Sequence, residues 1–356
     1  MHAIVAREAG GPEVLEYREL PDPEPGPGEL LVRTAASGVN FVDTYKRAGV
    51  YPVTYPHAVG SEGAGTVVAV GEVRDGDPEF AVGDRVVWTE APGSYAELTV
   101  VAAREALHVP DAVSSDDAAA VALQGLTAHY LCTSTYPVRP GDRVLVHAGA
   151  GGVGLLLTQM VVARGGHVLS TVSTPQKAEL ARAAGAEHVI EYTAFGDLSH
   201  DLPEVVRGLT GGEGVAAVYD SVGKDTFDAS LASLRRRGTL VLFGGSSGQV
   251  PAVDPQRLNA AGSVFLTRPK LADHTATRTE LEERAAEVLG ALAGGTLHVR
   301  VGARFALADA AAAHRALEGR ATTGKVLLLP DGPGDDDLGS AGDPAGGATD
   351  ATGADA

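Results

Sequence analysis

An α/β architecture of two units is predicted: a mostly antiparallel, barrel-like domain with a doubly wound, parallel-sheet domain inserted into it. The first third of the 356-residue chain carries short alternating runs split by turn-rich stretches such as PDPEPGPGE. From Asp142 onward, strand-like and helix-like stretches alternate, and after about residue 270 the chain reverts to the first pattern. Short, closely spaced strands build antiparallel barrels, whereas strand–helix alternation builds right-handed crossovers over a parallel sheet.

Taken in order, His2–Val5, Glu29–Ala35, Gly65–Val70, Arg85–Trp88 and Tyr95–Val101 read as strands, each bounded by Gly, Pro or Asp turns. Ser114–Thr133 reads as a helix, capped by Ser114 or Ser115 and carrying Asp116 and Asp117 in its first turn, where acids suit the helix dipole. Strands then follow at Arg143–His147, His167–Val172, His188–Glu191, Ala216–Asp220 and Thr239–Phe243. Between them lie helices at Gly152–Arg164, Pro175–Ala184, Leu202–Leu209 and Phe227–Leu234. Val264–Thr267 is the last strand of that sheet, an apolar edge that a second copy would cover, so a homodimer is expected. An amphipathic helix over Thr279–Ala293 leads to short strands at Val299–Val301 and Lys325–Leu329. The expected boundaries are therefore 1–124 with 269–330 for the first domain and 125–268 for the inserted one.

Composition narrows the function. With 44% hydrophobic and 21% charged residues the chain is globular. Lys and Arg number 28 against 46 Asp and Glu, a formal charge of −18, which opposes binding to a phosphate backbone; no nucleic acid partner is expected. A single cysteine, Cys132, excludes an intrachain disulfide and a four-cysteine zinc site. The amino terminus lacks a basic segment followed by an apolar one, and the longest apolar run, near Val153–Ala163, falls short of the ~20 residues of a membrane span. A cytoplasmic protein with no membrane partner is the expectation. Residues 331–356 are mostly Gly, Ala and Asp, with seven acids and no base, and read as a disordered acidic tail.

The sharpest motif follows the strand ending at His147. Gly149, Gly151 and Gly154 satisfy G-x-G-x-x-G between a buried strand and a helix. In that setting the glycines give a tight turn, close approach to a pyrophosphate and close helix–strand packing, while the helix N-terminus supplies N–H donors. An NAD site places an acid about 20 residues further on to receive the ribose 2′-hydroxyl. Here stand Ser173, Thr174 and Lys177, which suit a 2′-phosphate, so NADPH is favoured; the plain alternative for Lys177 is an exposed helix residue.

These residues resemble the zinc-independent quinone oxidoreductases of the medium-chain dehydrogenase/reductase superfamily. The resemblance spans about residues 1–330. It rests on Gly10-Gly11-Pro12-Glu13, Gly38-Val39-Asn40-Phe41-Val42-Asp43, Gly60-Ser61-Glu62-Gly63-Ala64-Gly65, Gly83-Asp84-Arg85-Val86, Gly125-Leu126-Thr127-Ala128, the glycine loop and Phe243-Gly244-Gly245-Ser246. It implies a GroES-like barrel beside a Rossmann domain. Zinc-dependent alcohol dehydrogenases of the superfamily carry Cys where Asn40 stands and His where Ser61 stands, so no metal is expected. Without a Lewis acid for an alkoxide, chemistry turns toward quinones and conjugated carbonyls, whose delocalised anions hydrogen-bond donors can stabilise.

By the same resemblance, Asn40, Phe41, Asp43, Thr44 and Thr127 border the nicotinamide and its phosphates. Gly151, Gly152, Val153 and Gly154 hold the pyrophosphate, and Ser173, Lys177 and Tyr192 surround the 2′-phosphate. Ser221, Phe243, Gly244 and Ser246, with Thr267, Arg268 and Pro269, complete the cofactor wall. Asn40, Tyr45 and Tyr51 are the expected donors to the quinone oxygen. The plain alternatives are a turn cap for Asn40, core or rim packing for the tyrosines and a structural acceptor for Glu62. Gly149 stands where relatives often have Ala or Ser, which is expected to loosen the phosphate turn. The expected activity is NADPH-dependent hydride transfer to a quinone or related conjugated carbonyl. An enone, enal or enoyl-thioester reductase, or a non-catalytic NADPH-binding sensor or structural protein, are the alternatives.

Overall fold

The computed structural model describes residues 1–332; the expected acidic tail lies, but for its first two residues, outside them. The chain opens with β1 (His2–Ala6), β2 (Leu15–Glu19) and the long β3 (Glu29–Val39), then turns through α1 (Phe41–Arg47). β4 (His57–Ala58), β5 (Glu62–Val70), β6 (Arg85–Trp88), β7 (Leu98–Ala102) and β8 (Leu107–His108) lead to α2 (Ser115–Tyr130). Ser114 is the cap, its hydroxyl accepting the Asp117 N–H at 3.0 Å. α2 is alanine-rich and buried along most of its length, so it crosses the boundary expected at 124/125 as a shared core element.

The nucleotide-type unit alternates β9 (Arg143–Val146), α3 (Gly152–Ala163), β10 (His167–Val172), α4 (Pro175–Ala183), β11 (His188–Glu191) and α5 (Leu198–Leu209). It continues with β12 (Val215–Asp220), α6 (Phe227–Ala232), β13 (Leu234–Leu242), α7 (Gln256–Ala260) and β14 (Phe265–Thr267). Its six strands are all parallel in the order β11-β10-β9-β12-β13-β14, the doubly wound sheet that the alternation predicts. The apolar runs of the four central strands β10, β9, β12 and β13 are buried on both faces, as a sheet covered by helices on each side requires.

α8 (Arg278–Ala293), β15 (Val301–Ala306), α9 (Ala310–Glu318) and β16 (Lys325–Leu329) return to the first unit. β16 pairs antiparallel with β3, and β3 with β5 and β7, in a seven-stranded sheet whose pairs are antiparallel apart from β15–β16. The inserted unit therefore interrupts a sheet that is completed by β16.

Candidate active site

Between the two units lies a cleft of about 610 Å³. One side is the carboxyl end of the parallel sheet, where open α/β sheets collect ligands. Gly151, Gly152, Val153 and Gly154 line it at the start of α3, where the first-turn N–H groups lack helical partners and the dipole is positive. The tight turn before them is made by Ala148, in the left-handed region at φ 52°, rather than by a motif glycine. Gly149 is required for space: a Cβ there would fall on Ser170 Oγ. The turn expected to be loose is thus filled from β10.

At one end of the cleft stand Ser173, Lys177 and Tyr192. The Lys177 ammonium donates to Arg320 C=O at 2.8 Å and Ser173 Oγ at 3.4 Å. Burial and the Arg320 charge lower its pKa, the mark of a cationic spot without a compensating anion. Thr174 is engaged elsewhere, its hydroxyl capping α4 through the Lys177 N–H. Ser221, Phe243, Gly244, Ser246, Arg268 and Pro269 also line the cleft, whereas Thr267 pairs with Val241 on the edge strand and is not among its lining residues.

The barrel side contributes Asn40, Phe41, Tyr45, Tyr51 and Thr127. The rings run as an aromatic strip, Phe41 to Tyr45 at 6.2 Å and Tyr45 to Tyr51 at 5.5 Å, edge-on. Burial raises the Tyr45 pKa, partly opposed by the Gly245 N–H at its hydroxyl, a contact that crosses from one unit to the other. Tyr51 is 38% exposed at the rim.

Asp43 and Thr44 face away from the cleft. Asp43 is fully buried, its Oδ2 accepting the Asn40 N–H at 3.0 Å and the Tyr95 hydroxyl at 3.1 Å, its Oδ1 the Ser61 hydroxyl at 2.9 Å. Burial dominates and raises its pKa despite these bonds. Thr44 donates to Phe41 C=O inside α1. Both shape α1, and neither lines the cleft. Asn40 stands at the N-cap of α1 without a side-chain cap bond, and its carboxamide is committed on both sides to Glu62 and Lys325; an amide with its N–H groups so occupied does not fit the role of donor to a quinone oxygen.

The positions that hold zinc ligands in metal-dependent relatives are attended by ammonium groups: Lys46 donates to Ser61 Oγ at 3.0 Å and Lys325 to Asn40 Oδ1 at 2.9 Å. Two such cations repel a third, and among the described residues no group of three His, Cys, Asp or Glu is placed to hold a metal. The residues present do not fit zinc. They do fit a dinucleotide. Besides the helix N-terminus and the cationic end, Gln124 Oε1 is a buried acceptor without a partner in the cleft wall beside Gly152. Gln124, Tyr130, Arg320, Thr322 and the supporting Lys325 were not picked out from sequence. Gln124 and Tyr130 lie one helical turn to either side of Thr127, which is the signal that could have found them; Arg320 and Lys325 lie far along the chain and had none. Cys132 and His147 are buried. Burial pushes the Cys132 thiol up to about 11, and His147 is held between Thr171 and Ser230.

Two family models match. Residues 26–111 fit that of the alcohol dehydrogenase GroES-like domain and residues 152–287 that of a zinc-binding dehydrogenase. A quinone oxidoreductase from Pseudomonas aeruginosa is 47% identical, over 90% of this chain and 97% of its own. A 2-haloacrylate reductase from Burkholderia sp. is 41% identical, over 92% and 98%. A mycobacterial protein solved in complex with NADPH superposes with a TM-score of 0.90 at 55% identity, over 93% of this chain and all of that one. The chain belongs to the quinone oxidoreductase family of the medium-chain dehydrogenases/reductases.

Proposed function

We propose that the protein is an NADPH-dependent, zinc-independent reductase that transfers a hydride to a quinone or a related conjugated carbonyl. The observation that carries this reading is the cleft: a helix N-terminus at its centre, Lys177 and Arg320 at one end with no carboxylate closing β10, and the Tyr45–Tyr51 strip on the facing lobe. The relatives' printed activities and the NADPH in the mycobacterial structure support it.

Bound there, NADPH supplies the hydride. The N–H groups at the start of α3 neutralise the pyrophosphate, and Lys177, Arg320 and Ser173 hold the 2′-phosphate. Tyr45 and Tyr51 present phenol groups to the acceptor's carbonyl oxygen and stabilise the charge that grows on it. The exposed rim at Tyr51 lets a proton arrive from water.

Steady-state NADPH oxidation tests the reading against a panel of quinones and of conjugated enals and alkenoates, repeated with NADH and with a chelator. Quinone-dependent, chelator-insensitive oxidation with NADPH preferred is the expected result. No acceptor-dependent oxidation at all would favour a non-catalytic NADPH binder. The Burkholderia relative's printed activity supports a second reading, reduction of an activated C=C bond, and turnover of those substrates alone would select it. The working form is a cytoplasmic homodimer joined at β14, an edge strand whose Phe265 is 60% exposed. A monomer mass by light scattering would overturn that assembly. No helix among the described residues is long and apolar enough to cross a membrane.

A further inference from the structure

Lys325, at the start of β16, is fully buried, as is Glu62 at the start of β5. Lysine is almost never withdrawn from water unless paired. Its ammonium meets Glu62 Oε2 and donates to Asn40 Oδ1 at 2.9 Å. Glu62 Oε2 also accepts from Asn40 Nδ2 at 2.8 Å, and Oε1 accepts the Leu123 N–H of α2 at 2.6 Å. Asn40 Nδ2 has a second acceptor in Gly38 C=O at 3.3 Å. Residue 38 must be glycine for this group to close: a Cβ there would fall on Glu62 and stand 2.6 Å from Lys325 Nζ.

Charge fixes the orientation of the amide. Turned over, it would set Nδ2 against an ammonium and Oδ1 against a carboxylate, two repulsions where water cannot screen them. With both N–H groups committed, the capacity left to Asn40 for the cleft is a lone pair on Oδ1. We infer that Lys325 is a positioning residue that, with Glu62, makes Asn40 a hydrogen-bond acceptor toward the cleft. A quinone has only acceptor oxygens and gains nothing from such a group. The ribose hydroxyls and carboxamide N–H of a nicotinamide nucleotide are donors. Asn40 therefore serves the dinucleotide rather than the electron acceptor, and Lys325 acts through it. This rests on the NADPH reading above.

The test uses the double variant Glu62→Gln/Lys325→Met, which removes both charges together and strands neither. NADPH affinity is read by fluorescence titration without turnover, and quinone KM is read at saturating NADPH. The expected result is a roughly 3- to 10-fold weaker NADPH Kd, the loss of one neutral hydrogen bond, with quinone KM held within about twofold. Asn40→Ala should give the same weakening, and adding the double substitution to it should weaken binding no further. A raised quinone KM with unchanged NADPH Kd, or losses that multiply in the Asn40→Ala background, would overturn the inference. If the double variant does not fold, Asn40→Ala decides by the same comparison of Kd with KM, since it leaves the ion pair in place. A wild-type protein that binds no NADPH would instead sink the reading of the function.

Discussion

The Lys177 ammonium has oxygen neighbours in Ser173 and the Arg320 backbone but, among the described residues, no carboxylate, and the Arg320 charge stands close enough to lower its pKa. A phosphate dianion there relieves two cations together. Lys177→Ala should weaken NADPH binding roughly 10- to 100-fold, the loss of a charge-assisted bond, while NADH binding stays nearly constant; equal losses for both in a titration would place Lys177 outside the 2′-phosphate site. Gly149 gives a second residue-scale prediction. Gly149→Ala should cost about 1–3 kcal/mol in denaturant melts, because the new methyl meets Ser170, and Ser170→Ala should recover part of it. The glycine spacing and Lys177 were legible from sequence because strand, turn and helix are contiguous there. Arg320 and Lys325 were not, because only tertiary pairing brings residues so distant in sequence to the cleft.

At the scale of elements, the strands of the inserted unit and its helices other than the five-residue α7 were readable because each shows its period or its apolar run. α1 and α9 were not. The first, FVDTYKR, spans two turns, too few to show a stripe, and its signal is confined to the cap, Asn40 with Asp43 three residues on. The second opens with four alanines, which favour helix without marking a face. β13 starts at Leu234, where a helix was expected to end, because Arg235, Arg236 and Arg237 carry no apolar alternation. The barrel elements also hold the buried pair. Lys325→Met alone leaves Glu62 charged in a dry site and should cost roughly 3–5 kcal/mol in urea unfolding, with Glu62→Gln recovering much of the loss. A harmless single substitution would mean that the pair contributes nothing to holding β16 against β5.

For the whole molecule, burial biases several histidines toward neutrality. His314 is pushed down to about 3 by burial and by the Arg47 charge, and His147 and His129 are lowered in the same direction, first by burial. An unfolded imidazole titrates near ~6.5, so below that pH the unfolded chain binds protons that the folded one refuses. Stability from these groups is complete above about 6.5 and is lost as pH falls toward the folded values. Asp43 acts in the opposite sense: its raised pKa favours the fold only in acid and offsets part of the loss there. Urea midpoints should hold from neutral pH upward and fall below about 6. His314→Gln should flatten that fall by up to about 1.4 kcal/mol per pH unit; an unchanged slope would show that His314 does not drive it.

A strand made after the inserted unit completes a sheet begun before it, since β16 pairs with β3 and Lys325 reaches Asn40 across 285 positions of sequence. A ribosome that has finished every strand of the parallel sheet still carries a chain whose barrel is open and whose Asn40 amide is free to turn. The nucleotide seat can form during translation, but the chamber beside it waits for β16. Partial products of synthesis are in this way kept from holding a reactive dinucleotide against an assembled reaction chamber.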